Sequence, residues 1–169
     1  MLGYADAKVP ESAPGSPRWC DVPLDEAVHR LVKHVRELRP EGVVTSDAHG
    51  CLTGHPDHVH THRVTVLAAE ARGLDRYPDA GRPWAPSVVY LATHPHSWVK
   101  ALEEIVGARI AVNATPDEEV TDQVDVSPWL EQKVAAILAH RFEVDRALFL
   151  DSSPVPHRVH ARNFSRRSG

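Results

Sequence analysis

The first periodic stretch of the chain places five apolar residues three or four positions apart: Leu24, Val28, Leu31, Val35 and Leu38. This spacing predicts a helix over Leu24–Leu38. Asp21 stands where an N-cap is expected, and Pro40 follows the helix end.

A short apolar run, Gly42–Ser46, predicts a buried strand, and Ser87–Ala92 predicts another. Between them, a second helix is predicted from His58 to Arg72, with Asp57 as its N-cap. Later elements are predicted as a helix Trp98–Val106, a strand Ala108–Val112, an extended piece Val124–Val126, a helix Ser127–His140 and a short apolar element Ala147–Leu150. This alternation predicts an α/β fold with a mostly parallel sheet and helices on both faces.

Length and composition predict one domain over residues 1–150. The chain has 169 residues, 42% of them hydrophobic, and a net charge of −4 with neutral histidines. Residues 151–169 are basic and lack a core pattern, so a disordered or loosely docked tail is predicted there. No apolar run approaches a membrane span, and two cysteines are too few for a disulfide framework. A cytoplasmic protein without a nucleic-acid partner is expected, and the oligomeric state is left open.

Five of the twelve histidines fall between positions 49 and 62, in the predicted loop and helix start after the first strand. Loops at the ends of strands commonly bear the chemistry of α/β proteins. Imidazole and carboxylate groups together suit a metal site or a general acid/base site. In His55-Pro56-Asp57-His58 the proline stiffens the loop, and Asp57 can orient a neighbouring imidazole.

Plainer interpretations apply to other residues of this loop. His60 and His62 are interpreted as packing or helix-surface residues, and Cys51 as a small buried apolar group. His94, His96 and His140 are interpreted as loop or helix-end residues. A site built from four alternative residues is the less favoured arrangement: Asp47, His49, His58 and His62.

The stretch Gly42-Val43-Val44-Thr45, then Asp47, Gly50 and Gly54-His55-Pro56-Asp57-His58, resembles the second signature of the PIG-L/LmbE-like zinc N-deacetylases. That family includes the N-acetylglucosaminyl-phosphatidylinositol deacetylases and the actinobacterial mycothiol deacetylase and mycothiol-conjugate amidase. Leu2–Asp6 is similar to a segment between the family's two signatures, and Val124–His140 is similar to its C-terminal helix region.

The resemblance implies a Rossmann-like fold and zinc-dependent removal of an acyl group from an N-acetylated amino sugar or a related small amide. It implies that His58 is a zinc ligand, that His55 is the catalytic imidazole and that Asp57 holds a histidine in place. The family's first signature, Ala-His-Pro-Asp-Asp-Glu, supplies two further zinc ligands and a general base, and it does not occur in this sequence.

The sequence therefore predicts an N-terminally truncated domain with an incomplete zinc site. Loss of the central first strand would expose Val43 and Val44, so Met1 is expected to be an internal methionine of a longer protein. Whether this chain is an enzyme is left open. The alternatives are a non-catalytic remnant or binding module of the same fold and, less favoured, a nucleic-acid binder using the basic tail.

Overall fold

The computed structural model describes residues 2–71, 75–106, 112–139 and 158–163. Helices are α1 (Leu24–Leu38), α2 (Pro56–Glu70), α3 (His96–Val106) and α4 (Leu130–Leu138). Strands are β1 (Gly42–Ser46), β2 (Val88–Thr93), β3 (Asp122–Asp125) and β4 (Arg158–Asn163). The α/β class is confirmed. The predicted elements Ala108–Val112 and Ala147–Leu150 fall largely or wholly outside the described residues.

Helix α1 has the predicted bounds but buries a slightly different face. Ala27, Val28 and Val32 are buried, whereas Leu24 and Leu38 are 40% and 75% exposed. The predicted cap is wrong: Pro23 is the N-cap, and Asp21 forms an ion pair with Arg18 instead. At the other end, Arg39 has φ 49° and its N–H donates to the carbonyl of Val35. Arg39 precedes Pro40, and a proline ring disfavours helical backbone angles in the residue before it. The helix therefore ends at Arg39.

The main apolar core lies between α1 and α2. It comprises eight buried residues: Val22, Ala27, Val28, Val32, Val64, Ala68, Ala71 and Ala80. Trp19 and Tyr4, from the segment before α1, pack against this core. The core therefore joins the start of the chain to the two helices.

The sheet has the order β1-β2-β4-β3. Strands β1 and β2 pair in parallel, from Gly42 opposite Val88 to Ser46 opposite Ala92. Strand β4 pairs antiparallel with both β2 and β3, so the described sheet is mixed rather than mostly parallel. The prediction of a disordered tail is wrong for Arg158–Asn163, because these residues form the strand between β2 and β3.

One face of β1 and β2 is buried and the other is open in the described part of the chain. Thr45, Val89 and Leu91 are buried, and the Thr45 hydroxyl hydrogen-bonds to that of Thr65 on α2 at 3.1 Å. Val44 points the other way and is 67% exposed. Helix α2 therefore covers the first face, while helices on both faces stay a prediction. None of the helices described here is long and apolar enough to cross a membrane.

Candidate metal and catalytic centre

The loop from β1 to α2 is organised by the buried carboxylate of Asp47. Its Oδ1 accepts the N–H groups of His49 (3.1 Å) and Cys51 (2.8 Å). Its Oδ2 accepts the hydroxyl of Thr93 (3.0 Å), at the end of β2. These three bonds fix the loop where two parallel strands end. Asp47 is thereby a structural residue.

Gly50 lets the loop turn tightly against the start of α2. Its φ is 78°, and an added Cβ would lie 2.7 Å from Cγ2 of Val59 and 3.1 Å from the carbonyl oxygen of His55. Cys51 follows with φ 58°, a left-handed conformation that costs a non-glycine residue about 1–2 kcal/mol. The close approach of loop and helix places Cys51 beside the first turn of α2.

His55, not the predicted Asp57, is the N-cap of α2. Its Nδ1 accepts the backbone N–H of Asp57 at 3.3 Å, and the residue is buried. In the neutral imidazole the proton is therefore on Nε2, because a nitrogen that accepts a hydrogen bond has none. Nε2 lies 3.8 Å from Oδ1 of Asp6.

The Asp57 carboxylate fixes the segment before α1. The N–H of Ala7 donates to Oδ2 at 2.9 Å, and the N–H of Cys20 donates to Oδ1 at 3.1 Å. The Asp57 group that contacts His55 is its backbone N–H; that Asp57 holds a histidine in place stays a prediction. Its side chain instead positions the segment that contains Asp6.

Asp6, His55 and Asp57 each place one potential ligand atom within 4.8 Å of the other two. Imidazole nitrogen and carboxylate oxygen are donors that zinc accepts, so the donor set suits a divalent metal. Asp6 was not singled out as a site residue from the sequence; its only signal was its place in the segment Leu2–Asp6.

His58 lies next to this cluster, with its ring centroid 5.3 Å from that of His55. It hydrogen-bonds to the thiol of Cys51, and this bond raises the pKa of the half-buried imidazole above its ordinary value. Burial raises the pKa of the Cys51 thiol, but hydrogen bonds with His58 and Ser46 outweigh it, and the net pKa is lowered. Cys51 is partly buried rather than buried as predicted, and its sulfur lies 4.0 Å from the carbonyl oxygen of Ala92.

The remaining histidines of the loop and helix have other partners. His60 is buried and meets Trp19 edge to face, with centroids 4.8 Å apart; burial lowers its pKa. His62 Nδ1 lies 2.9 Å from the carbonyl oxygen of Ser46, and His49 is exposed. Among the described residues, the alternative site with Asp47, His49, His58 and His62 does not assemble. His140 lies outside the described residues.

A cavity of about 160 Å³ opens at the carboxyl ends of β1 and β2. Its polar lining includes Asp47, His49, Thr93, Thr115 and Glu119. Ligands of open α/β sheets bind at such strand ends, so the cavity is in the expected place for a small polar molecule.

Comparison with known proteins places this site in a family context. The family described as PIG-L: GlcNAc-PI de-N-acetylase matches residues 1–69. A 1D-myo-inositol 2-acetamido-2-deoxy-alpha-D-glucopyranoside deacetylase of Rhodococcus jostii (strain RHA1) is 35% identical over 153 residues, covering 85% of this chain and 50% of that protein. A protein of the same name from Thermobispora bispora is 39% identical over 132 residues, covering 72% and 43%. The chain spans about half the length of these curated relatives.

Two solved structures share the fold. N,N'-diacetylchitobiose deacetylase from Pyrococcus horikoshii superposes with a TM-score of 0.58 at 19% identity, covering 89% of this chain and 55% of that one. A conserved protein from Thermus thermophilus gives 0.53 at 23% identity, covering 85% and 60%. At these identities the likeness concerns the fold alone.

Proposed function

Because the PIG-L family model matches residues 1–69 of this chain and the curated relatives are deacetylases, we propose that the chain belongs to this family and acts in the zinc-dependent hydrolysis of an N-acetyl group on an amino sugar. The observation that most supports this proposal is the constellation at the start of α2, where His55, Asp57 and His58 lie within the family-matched residues. The curated relatives are deacetylases of an acetamido sugar joined to inositol, which suggests the substrate class.

His58 is the proposed metal ligand, and it lies beside the cluster of Asp6, His55 and Asp57. When bound, the metal would polarise the acetamide carbonyl and lower the pKa of a water molecule. The residues of the chain would then orient the sugar, exclude solvent and transfer protons around that group.

His55 is the proposed catalytic imidazole. Because its Nδ1 accepts a backbone hydrogen bond, Nε2–H is the donor available to the acetamide oxygen or the leaving amine. Asp6, 3.8 Å from Nε2, favours this tautomer. Asp57 stabilises the tautomer of His55 by donating its backbone N–H to Nδ1. Its carboxylate also holds the segment that contains Asp6.

Zinc content and acetate release by three variants test this proposal. With an N-acetylglucosaminyl inositol as substrate, His55→Ala is expected to keep zinc and to lower kcat about 100- to 10,000-fold, the usual contribution of a general acid or base. His58→Ala is expected to lose zinc and activity together. His34→Ala, on the exposed surface of α1, is the matched control and should change neither.

If the unmodified chain binds no zinc and releases no acetate, the proposal is wrong for this chain. The non-catalytic binding module would then be the better description. Retention of substrate binding without turnover, measured by calorimetry, would identify such a module.

A further inference from the structure

We propose that the cavity at the carboxyl ends of β1 and β2 binds a neutral, hydroxyl-bearing ring, such as a single sugar ring, and that the Thr115 hydroxyl oxygen accepts a hydrogen bond from it. This binding goes beyond the proposed function, because it needs neither a metal ion nor an acetamide group. It gives a role to Thr115, which belongs neither to the histidine-rich loop nor to the cluster of Asp6, His55 and Asp57.

Two buried hydroxyl groups in the cavity wall have a fixed direction of hydrogen bonding. As a carboxylate, Asp47 can only accept, so the Thr93 hydroxyl donates its single proton to Oδ2. The hydroxyl groups of Thr93 and Thr115 also hydrogen-bond to each other. Because the Thr93 proton is already used, Thr115 is the donor in this second bond. The Thr115 oxygen is thereby left as an acceptor, and no N–H or O–H group of the described residues donates to it.

The backbone holds Thr115 in place before any ligand binds. Its N–H donates to the carbonyl oxygen of His94 at 2.8 Å, and its own carbonyl oxygen accepts the N–H of His96 at 3.0 Å. Thr93 and Thr115 are only 4% and 7% exposed. An acceptor that is already fixed loses little conformational freedom when a ligand hydroxyl donates to it.

The cavity lining fits a ring that has an apolar face and polar edges. Leu91, Ala114 and Pro116 contribute apolar wall, whereas Thr115 and Glu119 contribute acceptor oxygens. Small ligands are oriented by a few polar groups set among apolar side chains. The volume of about 160 Å³ is below the roughly 300–1,000 Å³ of sites for drug-sized ligands, which indicates one ring rather than a whole conjugate.

The charges around the cavity favour a neutral ligand over an ion. None of the lining residues that the structure describes is a lysine or an arginine, so an anion would meet the carboxylates of Asp47 and Glu119. A cation would find the Asp47 carboxylate already bonded to the N–H groups of His49 and Cys51 and to the Thr93 hydroxyl. A ligand hydroxyl brings a donor and no charge, and it therefore matches the acceptor that is left.

An NMR titration of the unmodified chain in EDTA with methyl α-D-glucopyranoside tests this binding, because the probe has a hydroxyl-bearing ring but no acetamide group and no charge. The amide signals of Thr93, Ala114 and Thr115 are expected to shift and to saturate. Glucose 6-phosphate is expected to shift them clearly less at the same concentrations. Shifts confined to other parts of the chain, no shifts, or tighter binding of the phosphate overturn the inference.

Thr115→Val removes the acceptor at nearly constant side-chain size and should weaken binding of the probe by about 2- to 10-fold, the contribution of one neutral hydrogen bond. Thr115→Ser keeps the hydroxyl and is the matched control, which should bind the probe like the unmodified chain. Equal affinity of Thr115→Val and Thr115→Ser would refute the role of Thr115. The proposed hydrolysis is judged separately, by zinc content and acetate release, so either proposal can fail while the other stands.

Discussion

At the residue scale, two neighbouring side chains of α2 have different roles: Asp57 has a structural role, and His58 is the proposed metal ligand. Asp57 binds the backbone of Ala7 and Cys20, residues that are 50 and 37 positions away along the chain. His58, the next residue, contacts the thiol of Cys51. A helix start can therefore fix a remote segment with one side chain while its neighbour is available to a ligand.

Replacement of Asp57 by alanine is expected to lower the free energy of unfolding by about 2–3 kcal/mol. Two backbone N–H groups lose a charged acceptor, and each such bond contributes roughly 1.5–3 kcal/mol before relaxation and hydration recover part of it. Urea unfolding measures the change, and hydrogen exchange at the amides of Ala7 and Cys20 should accelerate. The exposed Asp75 provides the control variant Asp75→Ala; equal losses in both variants would contradict the anchoring role.

The pH dependence of alkylation is a second prediction at this scale. In the metal-free chain, the pKa of Cys51 lies below its ordinary value because hydrogen bonds with His58 and Ser46 outweigh burial, whereas burial and Asp21 raise that of Cys20. The alkylation rate of Cys51 should therefore reach its midpoint at lower pH than that of Cys20. His58→Ala should move the Cys51 midpoint upward, since burial then dominates; an unchanged midpoint would exclude the contact.

At the scale of elements, the geometry of the site depends on how closely the loop approaches α2. Gly50→Ala combines positive φ with a Cβ that would lie 2.7 Å from Val59. Gly15→Ala is matched in φ (80°) but has no heavy atom within 4 Å of the added Cβ. In thermal unfolding, Gly15→Ala is expected to lower the free energy of unfolding by about 1 kcal/mol, and Gly50→Ala is expected to lower it clearly more. Metal affinity should fall in Gly50→Ala alone.

The helices were predictable because their apolar periodicity is local, and α1 has the predicted bounds. The caps were not: His55 replaces Asp57 as the N-cap because the Asp57 carboxylate has partners in the distant segment before α1. The same limit applies to the site. Its histidines could be found from their density in one loop, whereas Asp6 and Cys51 join it through contacts that no spacing in the sequence reveals.

At the scale of the whole molecule, β4 changes the interpretation of the basic C-terminal residues. Its backbone pairs with β2 on one side and β3 on the other, and these bonds form whatever the pattern of its side chains. Deleting all residues after Asp151 would therefore remove an inner strand. Salt-sensitive binding lost in such a deletion would not by itself indicate a nucleic-acid site.

Ala161 offers a direct test of this inner strand, since it is opposite Ala92 on β2 and Asp122 on β3. Ala161→Pro removes a backbone N–H donor from a strand that is paired on both edges. The free energy of unfolding is therefore expected to fall by about 3 kcal/mol. Chemical denaturation measures it against Ala85→Pro, in the exposed irregular stretch before β2. Similar stability of the two variants would contradict the strand order.

The contact of Trp19 with α2 can also be followed by tryptophan fluorescence. Its indole N–H donates to the Thr61 hydroxyl at 2.8 Å, and its ring is nearly perpendicular to that of His60. A protonated imidazole quenches indole emission, and burial lowers the pKa of His60, so the Trp19 fluorescence should fall only below the ordinary imidazole range near pH ~6.5. If the segment before α1 detached from α2, this quenching would be lost and the Trp19 emission would shift to longer wavelength. The turn of α2 that follows His58 thus makes docking of the chain's first residues visible in solution.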